Sequence, residues 1–206
     1  MTMLKRIRLF LWGVVGVVGL LAAGLAMGWW QVDGPGAERP PATTSVPTLG
    51  GPFVMADHRG QTFTEQHLAG RPTVMFFGFT SCPEVCPTTL NDISGWLDDL
   101  GPDAAKINAV FVSVDPERDT AEQIAGYLTA FDPRIVGLTG TAQQLSDMAA
   151  TYGFFYEKVM GVDGGYTMNH TATVYLLDAT GALFGTVDYH EERSVALQKV
   201  RRLLGS

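Results

Sequence analysis

Residues 72–90, PTVMFFGFTSCPEVCPTTL, contain the pattern that decides the fold. Residues 72–80 are a nearly continuous apolar run of strand length, which is typical of a central strand buried on both faces. The next segment holds both cysteines of the 206-residue chain, Cys82 and Cys86, and each is followed by a proline. Apolar residues then recur at helical spacing, at Leu90, Ile93, Leu97 and Leu100. The stretch therefore predicts a buried strand, a cysteine loop and a helix, in that order.

Strand-like and helix-like patterns alternate along the rest of the chain beyond residue 50. Strands are predicted at 107–114 and 134–140, hairpins at 51–64 and 171–189, and two further extended segments on either side of the turn at 161–165. Helices are predicted at 87–100, 119–131, 141–153 and 191–204. This order predicts an α/β fold, a thioredoxin-like domain whose central mixed sheet is flanked by helices.

The N-terminal thirty residues differ in composition from the rest. Residues 9–30 form an uncharged run of about 22 residues, which is long enough to cross a bilayer as a helix. Basic residues (Lys5, Arg6 and Arg8) precede the run, and this asymmetry predicts a cytoplasmic N-terminus and an exported domain. A cleaved signal peptide is the alternative, although its apolar core is usually only about 7–15 residues long. We therefore expect residues 1–30 to be a cytoplasmic stub and transmembrane anchor.

Residues 31–50, QVDGPGAERPPATTSVPTLG, are rich in Pro, Gly, Ser and Thr. Such a segment has little capacity to pack, so we expect a flexible linker. Residues 51–206 then form the folded domain. Because the uncharged run and its basic flank lie before the linker, the domain is expected on the extracytoplasmic (periplasmic) side, membrane-anchored through the N-terminal helix.

The charge of the domain limits its partners. The chain carries a formal charge of −7, and beyond residue 30 it has 11 Lys and Arg against 21 Asp and Glu. Phosphate backbones are bound by basic faces, so this balance argues against nucleic acid as a partner.

The cysteine loop admits three kinds of chemistry. We expect Pro87 at the first helical position, which puts Cys86 near the N-cap, where the helix dipole favours a thiolate. The pair could be an inert disulfide, a redox-active pair that exchanges disulfides, or two soft metal ligands. A disulfide across four residues would constrain little of the unfolded chain. The common exchange spacing is C-x-x-C, and the additional residue here lets both sulfurs point at one external atom.

Four histidines are candidates for a third ligand. His170 directly precedes a strongly apolar strand, and in a thioredoxin-like domain the loop before that strand lies beside the cysteine loop. His58 is expected in a solvated turn, His67 at the surface or capping a turn, and His190 is ambiguous. Two thiolates and one imidazole suit Cu(I), whereas a structural zinc site normally has a fourth ligand. Cys82, Cys86 and His170 are therefore the predicted metal site.

Four segments, GFTSCPEVCPTTL, VSVDPERDT, VGLTGT and MNHTATVYLLD, closely resemble the Sco (SenC-type) family of membrane-anchored copper chaperones of cytochrome c oxidase assembly. The resemblance extends from about residue 50 to residue 204. It implies a site that binds Cu(I), and Cu(II) as well, through Cys82, Cys86 and His170. It also implies that the protein delivers copper to the CuA centre of oxidase subunit II, or reduces the cysteines of that subunit. An upstream copper donor or thiol reductant would be a further partner.

The same resemblance gives Asp115 a place near the site. That carboxylate could tune the site or contact a partner, or it could simply shape the turn after its strand. Asp119, four residues later, is expected to cap the following helix. Two enzyme alternatives remain, a general extracytoplasmic thiol–disulfide oxidoreductase, in which His170 would tune the cysteines, and a peroxiredoxin-like peroxidase.

Overall fold

The computed structural model describes residues 3–32, 49–162 and 164–205. The chain divides into two compact units, residues 1–46 and 47–206. The first unit contains helix α1, Met3–Val32, which includes the uncharged run. Among the residues that the structure describes, no helix is both long enough and apolar enough to cross a membrane. The predicted transmembrane span is thus not shown, and most of the predicted linker lies outside the described residues.

The second unit is built on a seven-stranded mixed sheet in the order β2-β1-β5-β4-β3-β8-β9. Its strands are β1 (Val54–Asp57), β2 (Thr62–Thr64), β3 (Thr73–Gly78), β4 (Asn108–Ser113), β5 (Ile135–Thr139), β8 (Val174–Leu177) and β9 (Leu183–Val187). Strand β4 is parallel to both β3 and β5, whereas β8 is antiparallel to β3. Because parallel strands end at the same edge, the residues after β3 and β4 come together there.

Helices flank this sheet at positions close to those predicted. They are α2 (Val85–Leu100), α3 (Ala121–Leu128), α4 (Ala142–Tyr152) and α5 (Arg193–Leu203), with 3-10 turns at Glu65–His67 and Gly101–Lys106. Thr141 caps α4 by accepting a hydrogen bond from the backbone N–H of Gln144, and Gly153 ends it in the left-handed conformation, as predicted. The predicted thioredoxin-like arrangement of a sheet flanked by helices is confirmed.

Strand β3 lies at the centre of the core. All six of its residues are buried, which confirms the interpretation of the apolar run. Phe76 and Phe77 are fully buried, and Phe111 of β4 packs against Phe76 with ring centroids 6.3 Å apart. Burying one such side chain stabilises the fold by about 1.5–3 kcal/mol. The strand that leads into the cysteine loop is therefore held rigidly.

A separate two-stranded hairpin consists of β6 (Tyr156–Met160) and β7 (Tyr166–His170). It forms its own sheet, with Tyr156 opposite His170. None of its residues is buried, and most are exposed. The two extended segments predicted on either side of the turn at 161–165 are thus confirmed, and His170 is the last residue of the second one, directly before the loop that leads to β8.

The chain enters the second unit at the end of the sheet opposite the cysteine loop. The carbonyl oxygen of Leu49 accepts a hydrogen bond from the N–H of Leu183 at 3.1 Å, and the N–H of Gly50 donates to the carbonyl of Thr151 at 3.2 Å. Gly50 has φ = +114°, and a Cβ there would lie 2.2 Å from the carbonyl oxygen of Gly181. Glycine is required at this position, which fixes the entry point against the β8–β9 turn.

Candidate metal centre

The cysteine loop passes into α2 earlier than predicted. Glu84 is the N-cap and Val85 the first helical residue, so Cys86 lies in the first turn and is not itself the cap. The prediction placed Pro87 at the first helical position. Proline is tolerated here at the third position because the first N–H groups of a helix have no partner within it. Both cysteines thus stand at the positive end of the α2 dipole.

The structure brings the three predicted ligands together. The Sγ atom of Cys86 lies 3.6 Å from Nε2 of His170, although the two residues are 84 positions apart in sequence. The N–H of Cys86 donates to Sγ of Cys82 at 3.4 Å. The three potential ligand atoms all lie within 4.8 Å of one another, and both thiols are free. Among the described residues this is the single His, Cys, Asp and Glu group with such geometry.

The imidazole of His170 is oriented by its second nitrogen. Its Nδ1 lies 2.9 Å from the carbonyl oxygen of Thr171, which can only accept, so Nδ1 carries the hydrogen. The lone pair of Nε2 then faces the sulfur of Cys86, and this tautomer is the one that can bind a metal through Nε2. Two aromatic rings enclose the imidazole, with Phe76 at 6.1 Å and Phe79 at 5.7 Å between centroids.

The two sulfurs have very different acidities. The hydrogen bond from the Cys86 thiol is the largest influence on Cys82 and, against the opposing effect of burial, lowers the pKa of Cys82 to about 3. The hydrogen bond to the Cys82 thiolate, together with burial, raises the pKa of Cys86 far above its usual value. Cys86 is fully buried, whereas Cys82 is half-buried. At neutral pH the pair therefore holds one proton, on Cys86, and one negative charge, on Cys82.

Asp119 supports the cysteine loop and does not cap a helix, contrary to expectation. Thr120 caps α3, accepting from the N–H of Gln123 at 3.2 Å. The fully buried carboxylate of Asp119 accepts from the N–H and hydroxyl of Thr80, at 2.9 and 2.6 Å, and from the hydroxyl of Ser113 at 2.6 Å. It joins the start of the cysteine loop to the end of β4. The sequence shows no local sign of this role, because Thr80 is 39 residues away.

Asp115 is also buried at the end of β4. Its carboxylate forms an ion pair with Arg118 and accepts a hydrogen bond from the hydroxyl of Tyr166 at 3.0 Å. These contacts lead towards the hairpin that carries His170. The expectation that Asp115 tunes the metal site itself stays a prediction.

Gly78 is a site residue that sequence reasoning missed. A Cβ at this position would lie 2.8 Å from Sγ of Cys86 and 3.0 Å from the rings of Phe111 and Phe76. The absence of a side chain at the end of β3 leaves room for the buried sulfur. The glycine within an apolar run was the available signal, because such a residue often marks a close approach.

The other three histidines lie outside this group. His67 accepts from the N–H of Thr64 at 3.0 Å, which confirms its predicted capping role. His58 is half-buried and accepts from the N–H of Gly137 at 3.1 Å, so the predicted solvated turn residue is in fact bonded to β5. His190 is exposed and packs against Tyr189, with ring centroids 3.8 Å apart and the rings tilted by 42°.

Comparison with known proteins identifies a family and several relatives. The chain matches the SCO1/SenC family model over residues 41–205. It is 35% identical over 156 residues to the mitochondrial protein SCO2 of Saccharomyces cerevisiae, and this match covers 74% of this chain and 52% of that protein. The chain thus spans about half the length of that curated relative.

Two solved structures are similar to the fold described above. Bradyrhizobium japonicum ScoI with copper bound has a TM-score of 0.70 and 42% identity, covering 75% of this chain and 99% of that one. Yeast Sco1 with copper bound has a TM-score of 0.71 and 29% identity, covering 78% and 90%. The family model covers most of the chain, and the predicted resemblance to this family is confirmed. The protein is a member of the SCO1/SenC family.

Proposed function

We propose that this protein carries copper as an assembly factor for cytochrome c oxidase, with Cys82, Cys86 and His170 as the ligands. The observation that carries the proposal is the arrangement of two sulfurs and one imidazole nitrogen within 4.8 Å of one another. Two solved relatives with copper bound support the choice of metal.

The donor set suits a soft monovalent ion. Thiolates favour Cu(I), and an imidazole adds a third, borderline ligand. Ligand atoms that share one small metal ion, at bond lengths of about 2.0–2.3 Å, lie about 3.5–4 Å apart. The Cys86–His170 separation of 3.6 Å is already in that range. Little movement would be needed to bind the ion, although Cys86 must first lose its proton.

The exposure of the ligands suggests the order of transfer. Cys82 is half-buried and already a thiolate, so it can meet an incoming ion or a partner's ligand first. Cys86 is fully buried and completes the coordination. Release would run in reverse, through a shared thiolate, to a target whose ligands bind copper more tightly. We propose the CuA centre of oxidase subunit II as that target, and a separate copper donor or thiol reductant as an upstream partner.

The same sulfurs support a second function, reduction of the subunit II cysteines or general thiol–disulfide exchange outside the cytoplasm. The Cys82 thiolate would attack the partner's disulfide and form a mixed disulfide, and the Cys86 sulfur would then displace the reduced partner. The products are a Cys82–Cys86 disulfide and two reduced partner sulfurs, one a thiol that takes the Cys86 proton and the other a thiolate that is protonated by water. The lowered pKa of Cys82 keeps this sulfur in the thiolate form, which is the form that attacks a disulfide.

The location of the domain is proposed from the sequence alone. The uncharged run at 9–30 and the basic residues before it favour a membrane-anchored protein with its N-terminus in the cytoplasm and its domain on the periplasmic side. Membrane fractionation, followed by protease treatment of spheroplasts and of lysed cells, would test this placement. Protection of the domain in intact spheroplasts would contradict the periplasmic location, and release into the soluble fraction would contradict the anchor.

Anaerobic titration of the reduced protein with Cu(I) tests the leading function. Tight binding of one ion per chain is expected, weakened by His170→Ala and abolished by Cys82→Ser or Cys86→Ser. The matched control is His190→Ala, which removes an exposed histidine outside the site. Weak copper binding together with rapid reduction of a CuA-domain disulfide would favour the oxidoreductase. If copper binding survived either serine substitution, the site assignment would be wrong.

A further inference from the structure

A cluster of three side chains joins the β6–β7 hairpin to the loop that follows β4. We name it the hairpin clamp, and it consists of Asp115, Arg118 and Tyr166. Asp115 is 2% exposed and forms an ion pair with Arg118. The Tyr166 hydroxyl donates to Asp115 Oδ1 at 3.0 Å, and Arg118 Nη1 donates to the Tyr166 carbonyl at 3.1 Å. The guanidinium also lies 3.9 Å from the centroid of the Tyr166 ring.

These contacts act on a hairpin that has no strand pairing with the main sheet. Within the described residues, β6 and β7 pair with each other alone. Tyr166 is the first residue of β7 and His170 the last, so the clamp holds one end of the strand about 13 Å from the ligand at the other, at about 3.3 Å per residue. A hairpin released at Tyr166 could tilt and carry the imidazole away from the sulfurs.

The clamp also reaches His170 by a shorter route through the cysteine loop. The guanidinium of Arg118 lies 5.8 Å from the ring centroid of Phe79. The same ring packs against His170 at 5.7 Å, with an interplanar angle of 87°. Arg118 therefore contacts both groups that set the position of the imidazole, which are strand β7 and the ring of Phe79.

We propose that Asp115, Arg118 and Tyr166 are positioning residues that hold His170 at ligand distance from Cys86. None of the three binds the metal, and their effect is transmitted through the hairpin. This proposal rests on the proposed function, in which His170 is the third ligand. The sequence led to the expectation that the Asp115 carboxylate tunes the metal site directly. In the present proposal Arg118 neutralises that carboxylate, and Asp115 acts by fixing the hairpin.

The test measures Cu(I) affinity of the full chain by competition with a chromophoric chelator. Arg118→Ala and Tyr166→Phe should each weaken binding about tenfold, the lower end of what supporting residues of metal ligands contribute. In a His170→Ala background the same substitutions should add less than about a twofold loss, because a clamp that acts through His170 has nothing left to position. A general loss of stability would weaken binding equally in both backgrounds.

A second measurement needs no metal. Amide hydrogen exchange in the metal-free protein should become faster in β6 and β7 of Tyr166→Phe, while β3 and β4 stay unchanged. This variant removes one hydroxyl and leaves the ion pair, so it is informative even if Arg118→Ala fails to fold.

The matched control is Glu117→Gln. Glu117 pairs with Lys158 at 2.5 Å and joins the same loop to the same hairpin, but its side chain is 64% exposed and that of Lys158 is 38% exposed. Exposed pairs contribute little, so the change in affinity should stay within about twofold.

Two results would overturn different parts of the inference. If His170→Ala leaves the affinity unchanged, the third ligand of the proposed function is wrong. If His170→Ala weakens binding but the clamp variants stay within twofold of the parent, or lose as much affinity without His170 as with it, the clamp proposal is wrong and the proposed function stands.

Discussion

The two halves of the candidate metal centre are built in contrasting ways. Cys82 and Cys86 follow a strand whose six residues are all buried, and they lie at the start of a 16-residue helix. His170 ends a two-stranded hairpin in which no residue is buried. The sulfurs thus depend on the core, and the nitrogen depends on a few polar and aromatic contacts. Damage to the first half should appear as lost stability, and damage to the second as lost affinity.

The difference between the buried core below the cysteines and the exposed hairpin is tested most strongly by replacing one methionine in each. Met75 in β3 is fully buried and Met160 in β6 is 64% exposed. We expect Met75→Ala to lower the free energy of unfolding by about 2–5 kcal/mol, because it leaves a cavity in the core. Met160→Ala should change it by less than about 0.5 kcal/mol. Urea unfolding followed by circular dichroism measures both, and similar losses would show that the hairpin is part of the cooperative core.

Asp119, which holds the start of the cysteine loop, provides the next test. Asp119→Ala removes a buried carboxylate that accepts three hydrogen bonds from Thr80 and Ser113. We expect a loss of about 2–4 kcal/mol, since buried donors are left without acceptors. Asp92→Ala, at an exposed position of α2, is the control and should have almost no effect. An equally small effect of Asp119→Ala in thermal and urea unfolding would contradict the role described for this residue.

Gly78 allows a smaller perturbation aimed at one sulfur. Gly78→Ala would bring a methyl group to 2.8 Å from Sγ of Cys86, so we expect a loss of about 1–3 kcal/mol in stability together with weaker metal binding. Gly185→Ala in β9 is the matched control, because a Cβ there has no neighbouring atom within 4 Å. The comparison of the two glycines by unfolding and by metal titration separates crowding at the sulfur from a general effect on a strand. Unchanged metal affinity in Gly78→Ala would show that the sulfur tolerates displacement.

The pH dependence of metal binding is the last test, and its expected effect is the smallest when it is counted per pH unit. Cys82 is a thiolate well below neutral pH, whereas the raised pKa of Cys86 keeps its proton until a metal displaces it. Affinity should therefore rise about tenfold, or about 1.4 kcal/mol, per pH unit between about pH 7 and pH 9. The His170→Ala variant should bind the metal more weakly, but its affinity should rise with pH at the same rate, because the released proton comes from Cys86. If the affinity rose about a hundredfold per pH unit, two protons would be released on binding, and Cys82 would be protonated as well.

Patterns along the chain predicted most of the fold. The apolar run of β3 and the cap and end of α4 are determined by neighbouring residues, and these predictions were confirmed. The start of α2 was predicted two residues late, because proline is compatible with more than one early helical position. The two strands of the β6–β7 hairpin were also predicted, but its separation from the main sheet was not, since strand pairing is set by tertiary contacts.

In the candidate site, the metal-binding residues were predicted from the sequence but their supporting residues were not. Its three candidate ligands were predicted from residue type and the family resemblance, whereas the residues that hold them in place were missed or assigned another role. Asp119 stood in a sequence typical of a helix cap, and its partner Thr80 is 39 residues away. Such long-range polar contacts have no periodic signature, so only three-dimensional structure reveals them.

The entry of the chain at Leu49 and Gly50 has a consequence for how the domain can be presented. Both residues are bonded at the end of the sheet that carries the β8–β9 turn, whereas the sulfurs lie at the opposite end. A support attached just before Leu49, whether a bead, a sensor surface or a fusion protein, would leave the thiol end facing outward. A partner could then dock head-on without displacing the attachment, so immobilisation at this point should preserve the metal-binding capacity measured in free solution.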